Sequence, residues 1–291
     1  MFTRPFRYER AERLAEASDL LRRYGEDAKV IAGGQSLMPL INLGLAAPHV
    51  VIDISRADQD GGPRTIGSDN GYLTIGTLVT HSRLAADQVA ARMQPLLGAA
   101  AARIGNSRVR NRGTLGGSLA HSDPAAELPL AMVALGAEYE VSNGEQARYI
   151  RAEEFHLGFL TTPLEADELI ISARVPSLGP GWGWAFQEFS RRDGDFALAA
   201  AAALVRSSGG AIVESRVAVG GVNDRPVRLA DIEIALTGAT TEEAADRFGA
   251  IRGIDPVSDT GASAAYRAHL AQVLVKRTVI EACQRSEAAH V

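Results

Sequence analysis

Two glycine pairs, at residues 33–34 and 116–117, constrain this chain more than any other feature. The first lies in Ala32-Gly33-Gly34-Gln35-Ser36-Leu37, the second in Gly113-Thr114-Leu115-Gly116-Gly117-Ser118. Each sits beside apolar residues, and each segment carries a serine hydroxyl. A Gly-Gly step lets the backbone take φ > 0 and lets another group approach closely. Successive exposed N–H groups in such a turn form an anion-binding nest. One nest holds one phosphate. Two nests brought together by the fold would clamp a pyrophosphate, with Ser36 and Ser118 adding hydroxyl donors. The plain alternative is a pair of ordinary tight turns.

The patterning around the first pair is compact. Residues 11–24 place Leu14, Ala17, Leu20 and Leu21 on one helical face. Val30-Ile31 reads as a short buried strand that delivers the first glycine turn. A short helix over 36–42 would aim free N–H groups and the positive end of its dipole at the same anion. The β-branched run 50–54 predicts a second strand, so a βαβ-like unit closes by about residue 55. Further on, strands are expected at 73–76, 138–141 and 168–175, and helices at 82–86 and 89–103. Asp123 and Pro124 have the chemistry of an N-cap and a first helical residue, which predicts a helix from there to about Leu135 with Glu127 in its first turn. Residues 176–183 are rich in Pro and Gly and read as a linker. Beyond it, strands are expected at 184–192 and 213–222, and helices at 229–236, 241–248 and 262–283. The stretch 196–205 is a conflict: its alanine run favours a helix, yet it sits between strand-like segments.

Composition narrows the function classes. The net charge of −5, with no block of like charge, argues against nucleic acid and anionic membrane as partners. The one basic cluster, residues 103–112, is either a solvated face or a positive collar near a phosphate or a partner. Cys283 is the only cysteine, so neither an internal disulfide nor an iron–sulfur cluster can form here. The six histidines (His49, His81, His121, His156, His269, His290) show no metal-ligand spacing. The start, Met1-Phe2-Thr3-Arg4-Pro5, has no apolar core of a signal peptide, and no run is long and apolar enough to span a bilayer; both predict a cytoplasmic protein. A Rossmann Gly-x-Gly-x-x-Gly, a Walker A lysine, His-Glu-x-x-His, Cys-x-x-Cys and Gly-x-Ser-x-Gly are all missing.

Five motifs in order now become informative together. They are residues 32–37, the Ile75-Gly76-Thr77-Leu78-Val79-Thr80 segment, residues 104–118, Asp123-Pro124-Ala125-Ala126-Glu127-Leu128-Pro129, and Arg191-Arg192-Asp193-Gly194-Asp195-Phe196-Ala197. In this order, over nearly the whole length, the chain resembles the FAD-binding medium subunit of molybdenum hydroxylases, the carbon monoxide dehydrogenase and xanthine dehydrogenase family. The resemblance implies an α+β fold: a two-subdomain FAD-binding domain of the PCMH type over 1–176, with subdomains 1–55 and 56–176, then a small C-terminal antiparallel sheet with helices over 177–291. It implies FAD between the subdomains, touching the C-terminal domain. It implies a large partner subunit carrying molybdenum with molybdopterin, a small partner carrying two [2Fe–2S] clusters, and an α2β2γ2 hetero-oligomer. The lone cysteine agrees with clusters lying elsewhere, and argues against relatives of 4-hydroxybenzoyl-CoA reductase, whose flavin subunit holds an added cluster.

Carried over residue by residue, the resemblance puts Ala32, Gly33, Gly34, Gln35, Ser36 and Leu37 on one side of the FAD pyrophosphate, and Gly113, Thr114, Gly116, Gly117 and Ser118 on the other. Asp123 would meet ribose or ribityl hydroxyls, or else serve only as a helix N-cap. Leu169 would touch the flavin ring through its backbone. Phe196 would lie near the isoalloxazine, or else pack in the core. Departures from the family pattern are Ser118 for a frequent asparagine, Glu127 for aspartate, Gln35 for the histidine of carbon monoxide dehydrogenases, and Gln187-Glu188 where a lysine is common. Cofactors carry the hard chemistry, so no catalytic acid or base is assigned. Two other readings stay open at this point. One is a stand-alone FAD enzyme of the UDP-N-acetylenolpyruvoylglucosamine reductase type, whose C-terminal motifs are missing here. The other is a flavin-binding scaffold that never turns over.

Overall fold

The first fifty residues form a parallel ladder. In chain order they give β1 (Arg7–Arg10), α1 (Leu14–Tyr24), β2 (Ala28–Ile31), α2 (Leu37–Asn42) and β3 (Val50–Asp53). The sheet order is β1-β3-β2, with both pairs parallel. The computed structural model of the chain describes residues 4–57, 62–247 and 249–289. The β1 strand, Arg-Tyr-Glu-Arg, has no apolar alternation and the sequence gives no signal for it. It exists because the edge of β3 offers free backbone groups, beginning with the Arg7 amide on the His49 carbonyl at 2.7 Å.

Next come β4 (Ile66–Asp69), β5 (Tyr72–Gly76), α3 (His81–Ala86), α4 (Gln88–Met93), α5 (Pro95–Arg103), α6 (Ser107–Arg110), α7 (Leu115–His121), α8 (Glu127–Leu135), β6 (Glu138–Ser142), β7 (Ala147–Arg151), α9 (Ala152–Phe155) and β8 (Leu169–Pro176). The strands form one antiparallel sheet, β4-β5-β8-β6-β7. The helix expected over 89–103 is two helices. Pro95 opens the second, and the residue before a proline is pushed out of the α region, so Gln94 sits at φ −148, ψ 74. The helix expected from Asp123 begins at Glu127 instead, because residues 123–126 close a turn through the Ala126 amide and the Asp123 carbonyl, 3.0 Å. All nine residues of α8 are buried.

The last part holds β9 (Trp182–Phe189), β10 (Ala199–Ser208), β11 (Ala211–Gly220), β12 (Val227–Arg228), α10 (Ala230–Leu236), α11 (Thr241–Ala244) and α12 (Ala264–Ala288). Its sheet is antiparallel, β12-β11-β10-β9. The helix expected over 241–248 stops at Ala244, and Phe248 lies outside the described residues.

The alanine run resolves as a strand. Ala200, Ala202 and Leu204 face the core shared with α8, while Ala199, Ala201, Ala203 and Val205 face the core shared with α12. Both faces are buried, so every side chain on β10 must be thin enough to admit a layer above and below. The helical preference of five alanines totals about 3 kcal/mol at most. Burying one large aliphatic side chain supplies a similar amount, and two packed faces supply several. The closeness shows next door, where a side chain at Gly183 would run into the backbone of α12 at Ala282 and Ser286. The α8 helix and the turn before it join the last two parts: the Gly221 amide donates to the Pro124 carbonyl at 2.7 Å, and Arg216 Nη1 to the Leu135 carbonyl at 2.9 Å.

Candidate functional site

The first glycine loop runs from the end of β2 to the start of α2. Gly34 sits at φ +74, a conformation that side chains rarely adopt. Gly33 has a different reason to be glycine. A Cβ there would collide with the Arg112 carbonyl and fall 2.7 Å from its carbon and 2.9 Å from Gly113 Cα. The two loops therefore touch backbone to backbone, which brings the segments around residues 33 and 113 into one site. The amides of Gly33, Gly34, Gln35 and Ser36 donate to no acceptor among the described residues. Ser36 stands at the N-cap of α2 without a side-chain cap bond, so its hydroxyl is also uncommitted. Gln35 is exposed, with its Nε2 on the Gly33 carbonyl at 3.2 Å. Four successive backbone donors are thus left uncommitted at residues 33–36.

The second loop is built differently. Thr114 caps α7, its Oγ1 accepting from the Gly117 amide at 3.2 Å. The Gly113 amide goes to the Val109 carbonyl, Leu115 to Val79, Gly116 to Thr77 and Ser118 to Thr114. Only the Thr114 amide in residues 113–118 has no acceptor among the described residues. The expectation of a second amide nest is therefore corrected: the chain here is a helix start welded to the 77–81 segment, and its donors are drawn inward. Gly116 is glycine for packing, since a Cβ would strike the Thr77 hydroxyl and lie 2.9 Å from Thr77 Cβ. What this side presents is the Thr114 amide, the exposed Gly117 backbone and the half-buried Ser118 hydroxyl.

Of the other predicted residues, Asp123 is half-buried and its Oδ1 accepts from the Ala125 amide at 2.9 Å, so it orders the turn before α8 and caps no helix. Leu169 opens β8 and packs into the first core beside Leu78 and Ile52, at the seam between the parallel and antiparallel sheets. Phe196 is 61% exposed, which removes core packing as its role. It lies two residues after Gly194, which packs against Gly105, two residues beyond the end of α5. Gln187 donates to Glu281 Oε2 on α12 at 2.7 Å.

One group escaped the sequence reading. Glu127 is 6% exposed, and burial, with Glu188 and Asp123 nearby, pushes its carboxyl up to about 8. At neutral pH it is a protonated carboxyl, able to donate as well as accept. A glutamate in a helix first turn looks like a dipole partner; only the burial distinguishes it. Two buried histidines flank the same region. His81 Nε2 donates to the Thr114 carbonyl at 3.0 Å, and burial lowers it to about 4. His156 is bonded to Ser122 and Tyr139 and is lowered to about 4 for the same reason. Among the described residues no three His, Cys, Asp or Glu side chains could hold a metal ion, and His290 lies outside them. Among the described residues no helix is long and apolar enough to cross a membrane.

The donor set suits a dinucleotide. Four adjacent uncommitted amides in the first loop lie beside a second loop that carries a free amide at Thr114 and the Ser118 hydroxyl, and the loops meet where Gly33 leaves no room for a side chain. Comparison with known proteins agrees. Residues 4–178 match the family described as FAD binding domain in molybdopterin dehydrogenase, and residues 184–282 match the CO dehydrogenase flavoprotein C-terminal domain. The second match takes in the region where a sugar-nucleotide reductase would need its own substrate pocket, and so disfavours that alternative. The nicotine 6-hydroxylase medium subunit of Paenarthrobacter nicotinovorans is 39% identical over 284 residues, 96% of this chain and 98% of that one. Carbon monoxide dehydrogenase from Hydrogenophaga pseudoflava superposes with a TM-score of 0.92 at 34% identity, covering 98% of this chain and 99% of that one. Quinoline 2-oxidoreductase from Pseudomonas putida 86 gives 0.90 at 35% identity, covering 98% and 99%. By sequence along its length and by fold, the chain belongs to the FAD-binding medium-subunit family of the molybdenum hydroxylases.

Proposed function

We propose that this chain is the FAD-carrying electron-transfer subunit of a heteromeric molybdenum hydroxylase. The observation that carries the reading is the pair of touching loops, one with four uncommitted amides at residues 33–36 and the other with Thr114 and Ser118. FAD, when bound, accepts electrons singly and releases them in pairs. The chain's own residues do the rest. Residues 32–37 hold the diphosphate on one face, and Thr114, Gly117 and Ser118 hold it on the other. Gly113 and Gly116 keep the second loop tight against its support. Asp123 and the protonated Glu127 present carboxyl groups to cofactor hydroxyl or carbonyl groups. Leu169 lines the seam, and Phe196 shields the flavin ring from solvent.

The partners follow from membership of the medium-subunit family, and the cysteine count agrees with them. A [2Fe–2S] cluster takes four protein ligands, usually cysteines, and this sequence has one cysteine, Cys283, buried in α12. A small subunit then supplies the clusters and a large subunit the molybdenum site, in an α2β2γ2 assembly in the cytoplasm. Relatives named for nicotine, carbon monoxide and quinoline match this chain over nearly its whole length at 34–39% identity. Substrate choice therefore lies outside the flavin subunit. Co-expression with its two partners, followed by metal analysis and a visible spectrum, tests the reading. Iron, molybdenum and flavin should travel together, and the flavin band should bleach at the rate of substrate turnover. A complex without flavin, or with flavin that stays oxidised while substrate is consumed, contradicts it.

A further inference from the structure

We infer that Ser122, His156 and Tyr139 form a buried positioning chain that, with His81 at the opposite end, fixes α7 and thereby the second glycine loop. The inference rests on that loop's role in holding the dinucleotide. At the C-terminal end of α7, Ser122 takes a left-handed conformation (φ 51, ψ 42). Its Oγ lies 2.8 Å from His156 Nδ1, and His156 Nε2 lies 3.2 Å from the Tyr139 hydroxyl. Ser122 and His156 are each 2% exposed and Tyr139 is fully buried. The rings are caged by Phe155, with centroids 4.8 Å from Tyr139 and 5.3 Å from His156. The Leu160 amide adds a bond to the Ser122 carbonyl at 3.3 Å. At the N-terminal end, His81 Nε2 holds the Thr114 carbonyl, and the His81 amide holds that of Gly113 at 3.0 Å.

The two histidines thus grip the two ends of one short helix. Such a helix, with two glycines in its first three residues, has little stability of its own. Its position is set by what it is tied to. A neutral imidazole accepts at one nitrogen and donates at the other, so it can join one hydroxyl to another. That chain connects the end of α7 to β6, an interior strand of the antiparallel sheet. A rigid sheet is the frame against which Ser118 and the Thr114 amide can be held in register with the first loop. None of these side chains belongs to the cradle itself, so they act through α7 and not on the cofactor.

The test uses the complex purified with its partner subunits, stripped of flavin and titrated with FAD. His156→Phe keeps the volume and removes both bonds; FAD affinity should fall about tenfold. His156→Gln, which can both accept and donate, should recover most of that loss, and Tyr139→Phe should fall between. Ser286→Ala breaks buried bonds of similar kind to Ser207 and Gly181, far along α12. It should lower thermal stability and leave FAD affinity within about twofold. Wild-type affinity in His156→Phe, or an equal loss in Ser286→Ala, overturns the inference. Gly33→Val separates the two levels. If it loses FAD while His156→Phe does not, only the positioning role fails; if it too keeps FAD, the dinucleotide reading of the loops fails and this inference with it.

Discussion

The two glycine loops look alike in sequence and spend their amides in opposite ways. The first keeps four successive donors uncommitted, and its glycines serve a left-handed turn and a close backbone approach. The second sends all but one of its donors back into the protein and uses Gly116 to lie flat on Thr77. A Gly-Gly step is thus compatible with a grip and with a buttress. What separates them is whether the strand before the loop ends freely, as β2 does, or whether the chain continues a backbone ladder, as residues 113–115 do against 79–81. The proposed function needs both: donors that wait for an anion, and a wall that does not move.

Breaking the grip should have the largest effect. Gly33→Val drives a side chain into Arg112 and Gly113, so the loops part and FAD affinity falls by about a hundredfold or more, read as flavin per iron in the purified complex. The half-buried first loop can yield outward, so the thermal midpoint of the flavin-free complex should change little. Acid attacks the buttress first. His81 and His156 are held near 4 against an ordinary 6.5, so the unfolded chain binds more protons between those values. Stability is therefore complete above about pH 6.5 and falls as pH drops toward 4, by about 3 kcal/mol for each histidine. Glu127 has the reverse sign. Its carboxyl is raised to about 8 from 4.5, so its contribution is whole below 4.5 and is lost as pH rises to about 8. The limbs overlap between pH 4.5 and 6.5, where two histidines outweigh one carboxyl, so unfolding midpoints across pH 4–9 should peak near pH 6.5, and Glu127→Gln should flatten the alkaline limb alone.

Gly116→Ala should cost about 1–3 kcal/mol of stability through overpacking against Thr77, with FAD affinity falling in step. That coupling is the mark of a buttress, and its absence would erase the distinction between the loops. Ser118→Ala removes one hydroxyl donor and should weaken FAD by about fivefold, with stability unchanged. Phe196→Ala should leave stability within about 0.5 kcal/mol, since the ring is mostly exposed, while raising the solvent accessibility of bound flavin as seen by iodide quenching.

The meeting of the two loops was legible in the sequence because glycine is the residue that close backbone approach demands, and both loops carry it. It hid the second loop's helix for the same reason: Leu115-Gly116-Gly117 is poor helix material, and Thr114 and the 77–81 segment impose the conformation. It hid the β10 strand because alanine has helical propensity, and only the two helices pressing on its faces explain the choice. Asp123 looked like a cap and turned out to order a turn, while Glu127, which looked like a routine first-turn acid, became the buried carboxyl. Its burial comes from elements that pack on α8 from far along the chain, α5, β10 and β11 among them. His156 was invisible as a lone histidine, since its partners lie 17 and 34 residues away in the chain.

The most direct measurement is a crystal structure of the assembled complex with FAD bound. The account predicts that at least two amide nitrogens among residues 33–36 lie within about 3.2 Å of diphosphate oxygens, with the Ser118 hydroxyl reaching them from the opposite side. Finding those amides turned to solvent while the diphosphate is held elsewhere would contradict it.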